Sequence, residues 1–148
     1  MPELPSQEPR TVVVEGPAAK FRTEVTVNGH RLTVDEPVPV GGTDAGPSPY
    51  EMLLAALGSC TAMTLRLYAD RRKWPLERAV VKLRHHKVHA QDCVDCETKP
   101  AKMDVIDRVL ELKGPLDEQQ RAKLLEIAER CPVHQTLRSE LRVNTTLG

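Results

Sequence analysis

The segment between Pro49 and Pro75 constrains this chain most. Leu53, Leu54, Ala56, Leu57, Ala62, Met63, Leu65 and Leu67 give it apolar side chains on nearly every face as far as Tyr68. A helix of that kind is buried all round, in its own core or against a second copy of itself. Its polar end, Asp70-Arg71-Arg72-Lys73, leaves the core, and Pro75 stops it. Aromatics are limited to Phe21, Tyr50, Tyr68 and Trp74, so the core rests on Leu, Val, Ile, Ala and Met.

The flanking segments alternate differently. Residues 1–10 are Pro-rich and polar and read as a loose tail. Thr11 to Glu15 reads as a strand. Phe21 to Val27 sets Phe21, Thr23, Val25 and Val27 against Arg22, Glu24 and Thr26, the period of a half-buried strand. Asn28-Gly29 signals a hairpin, with Arg31 to Asp35 returning as its partner. A breaker-rich loop, Pro37 to Pro49, leads into the helix. Arg78 to His89 and Met103 to Leu112 read as long strands joined by a polar loop, residues 90–101. Asp117 stands at a helix N-cap, with Glu118 and Gln119 too early for a strict capping box. That helix ends at Arg130, because Pro132 disfavours helical geometry at Cys131. Pro132 suits the first turn of a short helix over Val133 to Arg138, and Leu141 to Leu147 is expected to close as a strand. The order predicts one α+β domain over 11–148 with antiparallel sheet.

Charge excludes some functions. There are 21 basic and 21 acidic residues, and no basic patch to hold a nucleic acid. No run of 18 apolar residues exists, so no membrane span is expected. The N-terminus lacks the pattern of a signal peptide, and a cytoplasmic location is expected. In that compartment four cysteines read as catalytic or metal-binding rather than as structural staples.

Gly58-Ser59-Cys60 is expected to interrupt the apolar helix. Gly58 costs about 1 kcal/mol in a helix interior, and Ser59 is a good N-cap, which would place Cys60 in a first helical turn. The dipole there would stabilise a thiolate able to attack a peroxide O–O bond. The plainer reading of Cys60 alone is a small buried core residue. Cys131, with 70 residues between it and Cys60, adds a second thiol at a bend fixed by Pro132. It is a suitable partner for a sulfenic acid at Cys60.

Three segments together resemble the OsmC/Ohr family of osmotically inducible and organic-hydroperoxide-resistance proteins. They are Gly41-Gly42-x-x-x-Gly46-Pro47-x-Pro49-x-Glu51-x-Leu53-Leu54, then Ala55-Ala56-Leu57-Gly58-Ser59-Cys60, and Cys131-Pro132-Val133-His134. The resemblance implies an α+β fold in which two chains intertwine as a homodimer, with antiparallel sheets packed around two central helices. It implies a thiol-dependent peroxidase with sites at the dimer interface, needing a hydroperoxide substrate and a dithiol reductant but no cofactor. It assigns Cys60 as the peroxidatic cysteine, Cys131 as the resolving one and Glu51 as the active-site glutamate. Arg22 is the best match to the family's arginine, and Arg31 the second. Cys60 lies nine positions after Glu51, about 13.5 Å along a straight helix and half a turn out of phase. The two meet only if the helix breaks at Gly58 or through another chain. For Glu51, a first-turn residue complementing the helix dipole is the alternative. For Arg22 it is a solvated strand residue.

Cys93 and Cys96, after His85, His86 and His89, form a second feature. Cys93, Cys96 and His89 would supply three ligands of a zinc site, with a fourth missing. A redox dithiol and two incidental loop thiols are the alternatives. His134, one turn after Cys131, reads as a proton carrier or as a satisfied interface histidine. Two functions compete with the peroxidase. One is a redox sensor or a binder of small hydrophobic molecules. The other is a zinc-stabilised structural protein.

Overall fold

The computed structural model describes residues 10–17, 20–89 and 102–148. Its backbone divides into two units, Met1–Met52 and Leu53–Gly148.

The first unit holds a three-stranded antiparallel sheet in the order β1 (Val12–Glu15), β2 (Thr23–Val27), β3 (His30–Val34). Val27 pairs with His30 across the expected turn. Asn28 and Gly29 both have positive φ, 46° and 81°, the geometry that matches the twist of a tight hairpin. The loop after β3 is organised by Asp35, which is 1% exposed. Its carboxylate accepts the N–H groups of Glu36 (2.8 Å), Thr43 (3.1 Å) and Ala45 (3.1 Å) and the Thr43 hydroxyl (2.5 Å). Those donors, the Thr43 hydroxyl foremost, lower its pKa from 3.8 to about 2 against the opposing effect of burial. The folded loop also explains Gly42, where a Cβ would fall 1.9 Å from the Glu36 carbonyl oxygen.

The second unit takes helix α1, Pro49–Arg72, from Leu53 onward, and a hairpin of β4 (Arg78–His89) and β5 (Lys102–Lys113). The ladder runs in unbroken register from Arg78 opposite Lys113 to His89 opposite Lys102. Helices α2 (Glu118–Ala128) and α3 (Pro132–Arg138) follow. Leu65 and Ala69 of α1 pack with Leu76, Leu116, Leu124, Ile127 and Ala128, and Leu110 and Leu112 of β5 close over them.

Four expectations are corrected. First, α1 does not break at Gly58. The Ser59 hydroxyl bonds back to the Ala56 carbonyl at 3.2 Å instead of capping a new helix. Gly58 is there for close approach, since a Cβ would meet Leu83 Cδ1 at 2.7 Å. Second, Leu141 to Leu147 is not a strand. No described strand pairs with it, and without a ladder its backbone groups turn to solvent, with Val143 79% exposed. Third, a full capping box does open α2, but through Gln120. Its side chain accepts the Asp117 N–H, and Asp117 accepts the Gln120 N–H. Fourth, α1 is by length and composition apolar enough to cross a membrane. Its buried residues include Thr61, Thr64, Leu65 and Ala69, and Leu65 and Ala69 pack against α2. It is not buried all round, because Met63 is 71% exposed and Leu67 45%.

The Asp35 carboxyl has a lowered pKa in the folded chain, so its stabilising effect is present above about pH 4 and is lost as pH falls toward 2. Asp35→Asn is expected to lower the thermal midpoint at pH 7. It should also flatten the acid-induced loss between pH 4 and 2 relative to the parent protein, as followed by circular dichroism.

Candidate functional site

Cys131 adopts an extended backbone, φ −61° and ψ 136°, as Pro132 requires of the residue before it. That conformation makes Cys131 the N-cap of α3, with its sulfur accepting the His134 N–H at 3.3 Å. The side chain is fully buried. It faces the middle of α1, where the Thr61 hydroxyl lies 3.8 Å from the sulfur. Cys60, the preceding residue on α1, hydrogen-bonds with Cys131 and with the backbone N–H of Val133. Both cysteines are free thiols, Cys60 half-buried and Cys131 buried. The fold thus brings together the two cysteines singled out from the sequence.

Their protonation differs from expectation. Cys60 lies in the interior of α1, not at a helix start, and burial pushes its thiol above the ordinary value of 9.0. The Val133 N–H and Thr64 pull it down, while the neighbouring Cys131 thiol pushes it up, leaving a net rise. The helix dipole expected to ionise Cys60 is absent because the helix does not begin there.

One charged residue at this site was missed. Arg108, on β5, stands opposite Leu83 and therefore shares its face of the hairpin, the face turned to α1. Its side chain is 10% exposed. Nη1 donates to Thr61 Oγ1 at 3.0 Å, and Nη2 donates to His134 Nδ1 at 3.0 Å, with Glu129 Oε1 at 3.4 Å. The signal was in the alternation Ile106-x-Arg108-x-Leu110-x-Leu112, where an arginine occupies an inward row of apolar residues.

The Arg108 contact also fixes His134. A guanidinium can only donate, so Nδ1 accepts and Nε2 carries the proton toward Glu129 Oε2, 3.3 Å away. Burial, with Arg108 and Arg138, holds the imidazole below its usual pKa of 6.5, against the pull of Glu129. A cavity of about 420 Å³ opens beside this network, walled by Leu57, Ile106, Leu110, Leu125 and Leu137.

Arg22 and Glu51 belong to the first unit. Arg22 pairs with Glu24 at 3.4 Å, with its side chain 62% exposed. Arg31 lies exposed on β3 opposite Thr26. Glu51 is exposed in the first turn of α1, and its N–H donates to the Ser48 hydroxyl oxygen at 3.3 Å. Since α1 runs unbroken through Gly58, the break that would carry Glu51 to Cys60 within one chain does not exist. His89 ends β4 and is exposed, while Cys93 and Cys96 lie outside the described residues. Among the described residues no three metal-binding side chains cluster.

An α+β chain with two reduced cysteines touching in its second unit is a specific architecture. The family model described as OsmC-like protein matches residues 42–146. The chain belongs to that family. Solved structures share the fold at low identity. An OsmC-like protein from Mycoplasma pneumoniae superposes with a TM-score of 0.67 at 17% identity, covering 88% of each chain. An organic hydroperoxide resistance protein OsmC from Legionella pneumophila gives 0.64 at 17% identity, covering 89% of this chain and 92% of its own. An organic hydroperoxide resistance protein from Elizabethkingia anophelis, with thiocyanate bound, gives 0.65 at 16% identity, covering 91% of both. No curated protein sequence matches the chain.

The His134 geometry is directly measurable. At pH 7, long-range ¹H–¹⁵N correlation spectra are expected to show a neutral ring protonated at Nε2. A ring protonated at Nδ1, or at both nitrogens, would contradict the Arg108 contact.

Proposed function

We propose that the chain is a thiol-dependent peroxidase that reduces organic hydroperoxides. The observation that carries this is the contact between the half-buried Cys60 thiol and the buried Cys131 thiol. The family membership supports it, as does the likeness in fold to organic hydroperoxide resistance proteins.

In the first step the Cys60 thiolate attacks the distal oxygen of the hydroperoxide. A sulfur–oxygen bond forms, the O–O bond breaks, and the alkoxide takes a proton and leaves as the alcohol. Cys60 is then a sulfenic acid. In the second step Cys131 attacks that sulfur, closing a disulfide as hydroxide leaves and becomes water. An external dithiol reopens the bond by exchange, returning both thiols.

The raised Cys60 thiol needs a cation to ionise it near neutral pH. In this reading a second copy of the chain covers the exposed side of α1, where Met63 and Leu67 face outward, and contributes Arg22 and Glu51. An arginine supported by a glutamate is suited to holding a thiolate. The cytoplasm, where thiols are kept reduced, fits a cycle that begins with two free cysteines. The apolar walls of the site favour an organic hydroperoxide over hydrogen peroxide. A second reading, a binding or sensing protein without turnover, draws on the apolar cavity beside Arg108.

Consumption of cumene hydroperoxide with dihydrolipoamide as donor separates the two. Cys60→Ser is expected to lower the rate by at least about a hundred-fold, as removal of a covalent nucleophile does. Cys131→Ser should accept the first equivalent of peroxide and form no intramolecular disulfide by intact mass. Wild-type turnover by Cys60→Ser would refute the peroxidase reading.

A further inference from the structure

Arg108 is unusual for its position. A guanidinium held 10% exposed in an inward row is costly unless partners replace its water. Its carboxylate partner Glu129 is 59% exposed and 3.4 Å away, so it compensates weakly. Its close partners are neutral, Thr61 Oγ1 and His134 Nδ1, both at 3.0 Å. Through Thr61 the cation lies one side chain from the Cys131 sulfur.

We propose that Arg108 is a positioning residue for the disulfide-closing step, acting on the Cys131 sulfur through the Thr61 hydroxyl. The inference rests on the two-thiol cycle above. Thr61 has one proton and two acceptors within reach, the Leu57 carbonyl at 2.7 Å and the Cys131 sulfur at 3.8 Å. Arg108 occupies a lone pair of the same oxygen, which biases the hydroxyl toward donating and strengthens it as a donor. With Cys131 protonated, the hydroxyl proton stays on Leu57. As Cys131 loses its proton, the sulfur becomes the stronger acceptor and the hydroxyl turns to it. The His134 N–H holds the same sulfur in place at 3.3 Å. The Cys131 sulfur then supplies the electron pair of the new S–S bond. The S–O bond of oxidised Cys60 breaks, and its oxygen leaves as hydroxide. That hydroxide gains the proton lost by Cys131, so the products are one disulfide and one water.

The test uses the full-length chain, oxidised with one equivalent of cumene hydroperoxide over a range of pH. Trapping with dimedone at timed intervals reads the lifetime of the Cys60 sulfenic acid, and intact mass reads the disulfide. Arg108→Met and Thr61→Val are each expected to prolong the sulfenic acid about ten-fold, the size of one charge-assisted hydrogen bond lost. They should also move the pH profile of disulfide closure to higher pH. Arg108→Lys and Thr61→Ser, which keep the charge and the hydroxyl, should recover most of the rate. Thr61→Val is nearly isosteric, so it reports even if Arg108→Met does not fold. Wild-type lifetimes and pH profile in folded Thr61→Val or Arg108→Met would overturn the inference alone. A wild type that consumes peroxide without joining Cys60 to Cys131 would overturn the two-thiol cycle and the inference with it.

Discussion

The site depends on the backbone of one residue. Pro132 denies Cys131 a helical conformation and pins it extended between α2 and α3. A helical residue there would run α2 into α3 as one rod and carry the thiol off with it. Held extended, Cys131 ends one helix and caps the next, and its side chain points into the core against α1. The sulfur is then fixed by what packs on it: the His134 N–H on one side and the Thr61 hydroxyl on the other. Cys60 needs no special conformation of its own. It meets Cys131 because an ordinary helix passes the place where Pro132 has put that thiol.

That division of labour separates the two sulfurs chemically. Cys131 is buried, with the His134 N–H and the Thr61 hydroxyl on its sulfur, whereas Cys60 is half-buried. Its own chain leaves Cys60 protonated, since burial and the neighbouring thiol outweigh the Val133 N–H and Thr64.

Much of the fold was legible because its signals are local. Asn28-Gly29 dictates a turn by the φ values it tolerates, and the alternation in residues 78–89 dictates a strand of that length. The Asp117 cap and the Pro132 stop are equally local. Three features were not legible for a shared reason. Gly58 reads as a helix breaker, yet its cost of about 1 kcal/mol is small beside the packing of a buried helix, and its missing side chain makes room for Leu83. The segment from Leu141 to Leu147 has the alternation of a strand, but a strand exists only through a partner. Arg108 lay in plain view among apolar neighbours. Its meaning needed the register of β4 and β5 and the position of α1.

Gly58 and Arg108 are two consequences of one close approach. β4 and β5 share a ladder, so Leu83 and Arg108 stand side by side on the face that meets α1. Without a Cβ at position 58, α1 comes near enough to Leu83 that a methyl group there would intrude. The same nearness brings the Arg108 guanidinium to the Thr61 oxygen, three residues further along the helix and close to one turn on. A methyl group at 58 would meet only the far end of the Leu83 side chain, which would have to turn aside. The glycine that looked like a break in the helix sits where α1 and the hairpin come closest to touching, close to one turn from the threonine that stands between the sheet's charge and the buried sulfur.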